Sequence, residues 1–133
     1  MLRFLLAAGF AIIATAAPAA DYGCQRVKFK CLGFEPSWIF RPSGGGHIKF
    51  ADAENPNGGR PPMVISACAT QLSGTQTSIT TGPPLGLSAT VTQQSCDDPN
   101  SGSTRPYSIA ISYTQGAAGG TPRQVSGTGC CRK

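Results

Sequence analysis

Six cysteines restrict the fold of this chain more than any other feature of its sequence. They all lie after residue 23, and they are Cys24, Cys31, Cys68, Cys96, Cys130 and Cys131. An even number of cysteines in an exported chain predicts a disulfide framework, whereas a zinc site would need paired C-x-x-C elements or several histidines. The chain has no C-x-x-C and a single histidine. We therefore expect disulfides and no metal.

Cys130 and Cys131 are neighbours in the sequence, and a ring between neighbouring cysteines strains the geometry of the bond. We therefore expect that these two cysteines are not bonded to each other and that each pairs with a cysteine elsewhere in the chain. The remaining pairings stay open. Our first choice joins Cys96 to Cys130 or Cys131, which would tie the C-terminal residues to an upstream loop.

The first twenty residues have the pattern of a cleavable export signal. Arg3 is followed by an apolar run over residues 4–14, and residues 17–19 (Ala-Pro-Ala) match the small-residue pattern that a signal peptidase cleaves. The apolar run is shorter than the ~20 residues that a membrane-spanning helix needs. We expect residues 1–20 to be removed and the protein to be exported, periplasmic or secreted, with no stable membrane insertion. Cys24 lies four residues beyond Ala20, which does not favour a lipid anchor.

Residues 21–133 have the length of one domain with an ordinary core. Arg3 apart, the chain has ten lysines and arginines against six acidic residues, which gives the mature chain a net charge of about +4. The basic residues are scattered, whereas a nucleic-acid site is usually a concentrated stripe. We expect no nucleic acid as partner and only a mild preference for acidic partners or surfaces.

Short stretches of alternating apolar and polar residues, separated by Gly, Pro, Asn and Ser, predict an all-β domain. The predicted strands are 27–31, 37–41, 47–50, 63–68, 78–81, 87–92, 107–113 and 123–128. About eight short strands at this spacing favour a small antiparallel barrel or sandwich, here held together by disulfides. No internal repeat or second domain is indicated.

The sequence contains no set of residues typical of an enzyme. His47 is the single histidine, and its alternation places it beside Lys49 on the polar face of a strand. No G-x-S-x-G nucleophile motif occurs. A glycosidase needs two carboxylates across a sugar cleft, and a pair such as Glu35 and Asp97 stays open without a specific signal for it. No P-loop, dinucleotide-binding or H-E-x-x-H motif occurs. We therefore expect neither enzymatic activity nor a cofactor.

An oxygen-rich loop follows Cys96, since residues 97–102 are Asp-Asp-Pro-Asn-Ser-Gly. Calcium prefers clustered carboxylate and carbonyl oxygens. The same residue types form tight turns, and the spacing is not that of an EF-hand loop. We favour the turn.

Two parts of the chain resemble a family of small, exported, largely uncharacterised bacterial proteins. Residues 33–38 (Gly-Phe-Glu-Pro-Ser-Trp) resemble the family's G-T-E-P-F-W-S motif, and Cys96, a later Arg-Pro-Tyr and a final Gly-Cys follow in the family's order. Ser37 replaces the aromatic residue of the family motif. The resemblance implies a compact β domain in the cell envelope and a disulfide from Cys96 to a C-terminal cysteine. It also implies that five residues belong to one recurring constellation: Glu35, Trp38, Asp97, Arg105 and Tyr107.

Our leading hypothesis is a non-enzymatic, monomeric envelope protein that binds an unknown protein or envelope component, or that supports tolerance of envelope stress. Its candidate binding residues are this constellation together with Asp98. The first alternative is a lysozyme inhibitor, which would present the acidic Asp97–Asp98 loop to its basic target. The second is a hydrolase of cell-wall sugar that uses Glu35 and an aspartate.

Overall fold

The protein was analysed as a computed structural model, which describes residues 24–35, 37–52, 62–116 and 121–133. The predicted signal over residues 1–20 lies outside the described residues. The strands are β1 (Lys30–Gly33), β2 (Trp38–Pro42), β3 (His47–Asp52), β4 (Met63–Gln71), β5 (Gln76–Thr81), β6 (Ser88–Thr92), β7 (Cys96–Asp97), β8 (Thr104–Arg105), β9 (Tyr107–Gln115) and β10 (Arg123–Arg132). The described residues form no helix, and thus none that could cross a membrane. The all-β prediction is confirmed.

Eight of the strands close into an antiparallel barrel, which decides between the two predicted architectures. Around the barrel the order is β1-β10-β9-β6-β5-β4-β3-β2. Each barrel strand pairs with the next one along the chain, and β10 returns to pair with β1. Closure leaves no unpaired barrel edge for another chain to extend. The remaining strands, β7 and β8, form a two-stranded ribbon inserted between β6 and β9.

Strand alternation fills the barrel with apolar side chains, as the sequence pattern predicts. In β9, Ile109, Ile111 and Tyr113 are buried while the residues between them are more exposed. In β2, the rings of Trp38 and Phe40 are both buried and stack with centroids 5.8 Å apart. Each strand of a small barrel thus supplies its inner face to one shared core.

Adjacent cysteines at the end of β10 point to opposite faces of the barrel wall, because side chains alternate along a strand. Cys131 is bonded inside the wall to Cys31, which lies directly opposite it on β1. Cys130 is bonded to Cys96 at the start of the ribbon. One bridge therefore crosses the seam that closes the barrel, and the other fastens the ribbon to its outer side. The second pairing is one of the two that we expected from the sequence.

The third disulfide joins Cys24 to Cys68 of β4. Beside it, Gln25 and Ala69 exchange backbone hydrogen bonds of 3.0 and 3.1 Å. These contacts hold the segment before β1 against the barrel, and Val27 and Phe29 of that segment are buried in the core. All six cysteines are paired.

The barrel has two ends, which we call upper and lower. Strands β1, β3, β5 and β9 run from the lower end to the upper end. The barrel strands between them run in the opposite direction. The ribbon leaves the lower end after β6, lies against β10 and brings Asp98 and Asn100 to a cleft at the upper end. The two ends carry different residues and are described separately below.

Candidate binding surfaces

The residues of the predicted constellation lie at several places in the fold. Asp98 and Arg105 form an ion pair across the ribbon, with 3.7 Å between Nη2 and Oδ2. Trp38 and Asp98 line the same cleft at the upper end. Tyr107 begins β9 at the lower end and packs edge-on against Phe29 with centroids 5.0 Å apart. Tyr107 therefore lies at the opposite end of the barrel from Trp38, although it follows Arg105 by only two residues.

Glu35 is exposed in the loop between β1 and β2. The predicted constellation groups Glu35 with Arg105. Among the described residues, Asp98 is the acidic partner of Arg105.

The carboxylate of Asp98 organises the turn at the tip of the ribbon. Its Oδ1 accepts hydrogen bonds from the backbone N–H groups of Asn100, at 2.9 Å, and Ser101, at 3.3 Å, while Oδ2 accepts one from Ser101 Oγ at 2.8 Å. The Ser101 hydroxyl is the largest cause that lowers the pKa of Asp98, helped by the two N–H groups and Arg105 and opposed by burial. The oxygen-rich loop is thus a tight turn fixed by its own side chain.

Asp97 has a different environment from its neighbour. It is exposed, and its Oδ1 accepts a hydrogen bond of 3.0 Å from Thr104 Oγ1 on the other strand of the ribbon. Because Asp98 is buried, the acidic loop presents a single exposed carboxylate. The electrostatic argument for a lysozyme inhibitor requires two exposed carboxylates in this loop.

The upper cleft has a volume of about 320 Å³ and lies between the ribbon tip and the barrel rim. Asp52, at the end of β3, lines it together with Asp98. Asp52 Oδ2 accepts hydrogen bonds from Tyr113 Oη at 2.8 Å and from Gln115 Nε2 at 2.7 Å. Arg123 donates to the other end of the Gln115 amide at 2.6 Å. This network ties β3, β9 and β10 together at the rim.

Both carboxylates of the upper cleft are engaged in hydrogen bonds within the fold. The acid of a glycosidase stays protonated at working pH through a raised pKa. The pKa of Asp98 is lowered, and its oxygens already accept hydrogen bonds from Ser101 and Asn100. Asp52 accepts from two buried side chains. Both groups serve as structural acceptors.

Trp38 supplies a buried polar group to the same end of the barrel. Its side chain is 3% exposed, and its Nε1 has no hydrogen-bond partner among the described residues. The indole edge lies against Gly33, where an added Cβ would come within 2.0 Å of Nε1. Trp38 therefore belongs to the core and offers no exposed stacking surface.

His47 lies on the outer face of β3, as its alternation predicts, and is exposed. Its Nε2 is 3.3 Å from Ser66 Oγ on β4, and its Nδ1 is 3.1 Å from the carbonyl oxygen of Gly45. The first contact follows from the register, because His47 and Ser66 are directly paired. A Ser-His-Asp site would need a carboxylate on Nδ1, and a backbone carbonyl occupies that position here.

The lower end of the barrel opens into a polar cavity of about 160 Å³. Arg26, Lys28 and Lys133 line it together with the side chains of several glutamines and threonines. Lys133 Nζ lies 5.7 Å from the ring centroids of both Phe29 and Tyr107, a cation–π arrangement that holds the ammonium group at the mouth. No aspartate or glutamate side chain lines this cavity among the described residues.

The fold separates charges that are mixed in the sequence. Seven of the nine lysines and arginines in the described residues lie in the lower half of the barrel or at its mouth: Arg26, Lys28, Lys30, Arg41, Lys49, Arg132 and Lys133. Three of the four described carboxylates lie at the upper end, namely Glu35, Asp52 and Asp98, whereas Asp97 lies on the ribbon next to Cys96. We call the first group the basic end. Sequence reasoning missed it because its members come from four separate stretches of the chain.

The chain was also compared with protein-family models, with curated proteins and with solved structures. None of them matches it. The family resemblance of residues 33–38 therefore stays a prediction.

Proposed function

We propose that this domain is an exported, non-enzymatic binding protein whose partner carries negative charge. The observation that carries the proposal is the separation of charge between the two ends of the barrel. Among the described residues, most cations lie at one end and three of the four carboxylates lie at the other, which gives this part of the domain a positive pole. Such a pole attracts an anionic partner, orients the domain as it approaches and raises the rate of association.

The placement of the possible catalytic groups supports a binding role. Asp52 and Asp98 are fixed as acceptors within the rim and the ribbon, and His47 is bonded to a backbone carbonyl on an open strand face. The three disulfides support export, because such bonds persist in oxidising compartments. An acidic component of the cell envelope is the partner that fits both the charge of the basic end and the export of the protein.

A pair of charge reversals tests the proposal with matched changes in net charge. Lys28→Glu alters the basic end, and Arg123→Glu makes the same change at the upper end. Binding of the oxidised protein to carboxylated and to aminated dextran surfaces is measured at about 50 mM salt, where surface charges are only partly screened. We expect the unaltered protein to bind the carboxylated surface alone, Lys28→Glu to weaken this binding strongly, and Arg123→Glu to retain most of it.

Equal losses in the two variants would show that net charge, rather than the basic end, determines binding. Binding of the unaltered protein to neither surface would contradict the proposal outright. Release of new reducing ends from a cell-wall polysaccharide by the purified domain would contradict its non-enzymatic part.

A further inference from the structure

Four basic residues form a row across the outer wall of the barrel. Arg132 of β10 is directly opposite Lys30 of β1, and Arg41 of β2 is directly opposite Lys49 of β3. The register of β1 with β2, continued by one residue, places Lys30 level with Arg41. The four cations therefore lie at one level on four neighbouring strands, and we call them the basic row.

The side chains of the basic row point away from the barrel. Lys30, Arg41 and Arg132 are exposed and Lys49 is half-buried. An adjacent residue in each strand is buried, and these residues are Cys31, Phe40, Phe50 and Cys131. Neighbouring strands are about 4.8 Å apart, so the row covers about 14 Å across three strand spacings. It runs across the strands, and a ligand that followed it would do the same.

This arrangement costs stability, because like charges directly opposite each other on a sheet repel. The row contains two such pairs, and the continued register of β1 with β2 makes Lys30 and Arg41 a third. The ion pair found in the described residues, between Arg105 and Asp98, lies outside the row. No side chain of the row has a carboxylate partner among the described residues. An anionic ligand would relieve this repulsion on binding.

We propose that the basic row binds a flexible, linear acidic polysaccharide whose carboxylate or sulfate groups recur along its length. The proposal rests on the proposed function and names the class of the partner. Guanidinium and ammonium groups form charge-assisted hydrogen bonds with such anions. Val64 of β4 continues the row beyond Lys49 and is 53% exposed, which offers an apolar contact to the C–H face of a sugar ring.

The curvature of the wall favours a flexible chain over a flat membrane. Eight strands complete the barrel. The outward directions of the first and fourth cations therefore differ by roughly 80° or more. A planar layer of lipid headgroups meets only part of such a row, whereas a flexible chain follows it around the wall.

The absence of exposed rings near the row favours a polysaccharide over single-stranded nucleic acid. Proteins that bind single strands stack the bases on aromatic side chains. The large apolar side chains exposed in the described residues are Ile39, Met63, Val64 and Leu72, and none of them is aromatic. The row thus offers anion contacts without a stacking platform.

The experiment compares two double variants that remove the same charge from the same end of the barrel. Lys30→Gln with Arg41→Gln interrupts the row, and Arg26→Gln with Lys28→Gln leaves it intact. The probes are polygalacturonate oligomers of increasing length, with neutral dextran as a control, and the readout is isothermal titration calorimetry at low salt. Trp38 emission verifies the fold of each variant.

We expect affinity for polygalacturonate to rise with length until the oligomer spans about 14 Å, and then to level off. At about fivefold per cation near an anionic partner, the row variant should lose roughly 25-fold in affinity. The variant outside the row should lose fivefold or less, since its cations act on the oligomer from a distance.

Equal losses in the two variants would overturn the basic row and leave the proposed function standing, because the whole basic end would then attract the ligand. If the protein bound phosphatidylglycerol vesicles or a twelve-residue oligothymidylate as tightly as polygalacturonate, or more tightly, the choice of polysaccharide would be overturned. Failure of the unaltered protein to bind any of these anions would remove the proposed function together with the row.

Discussion

Replacing both Cys31 and Cys131 by alanine should destabilise the domain more than replacing both Cys96 and Cys130. A disulfide constrains the unfolded chain, and in the chain-entropy description its contribution grows with the logarithm of the loop that it closes. The seam bridge joins residues 100 apart, which corresponds to about 4.7 kcal/mol. The ribbon bridge joins residues 34 apart, which corresponds to about 3.8 kcal/mol.

The loss at the seam is large beside the roughly 5–15 kcal/mol by which native domains are stable. Urea unfolding followed by the emission of Trp38, the single tryptophan, measures it. With an m value of about 1.5 kcal/mol/M, the midpoint should fall by about 3 M for the seam variant and by about 2.5 M for the ribbon variant. An equal or smaller loss at the seam would refute the chain-entropy reasoning for this domain.

Three further substitutions test the rim, the ribbon and the seam. Tyr113→Phe removes a hydrogen bond to the Asp52 carboxylate and should cost about 1.5–3 kcal/mol in urea unfolding. Gly129→Ala would place a Cβ 2.0 Å from the backbone oxygen of Leu32, so β10 and β1 must separate, and we expect a lower thermal midpoint than in the unaltered protein. The pKa of Asp98 is below its ordinary value of 3.8. Its ionised form therefore stabilises the fold above that pH, and the contribution is lost as pH falls through the lower folded pKa. In Asp98→Asn, the fall of stability with pH below 3.8, measured by thermal unfolding, should be shallower than in the unaltered protein; an identical pH dependence would contradict this role for the turn.

The strands were predictable because their signals are local. The alternation of Ile109, Ile111 and Tyr113 with smaller or polar residues needs no knowledge of the partner strand, and the structure buries all three. The choice between barrel and sandwich was not predictable. It depends on β10 pairing with β1, a contact between residues such as Cys31 and Cys131 that are 100 positions apart.

The same limit applies to the candidate surfaces. Asp98 could be assigned to a turn because the residues that bond to it, Asn100 and Ser101, follow it directly in the sequence. The basic row could not be found, because Lys30, Arg41 and Arg132 are distant in the sequence and meet only through the register of three strands. An even distribution of charged residues along the sequence thus does not predict an even distribution of charge over the surface of the barrel.

Because Cys130 and Cys131 point to opposite faces of the wall, the disulfides that form depend on the register between β10 and β1. If β10 slipped by one residue against β1, every side chain of β10 would move to the other face of the wall. Cys130 would then face Cys31 across the seam, and Cys131 would face the ribbon. Oxidation of that slipped form would give a distinct isomer with exchanged partners, and thiol–disulfide exchange would be needed before the chain could realign. Two neighbouring cysteines thereby convert an error of one residue in pairing into a covalent difference that a disulfide isomerase can correct.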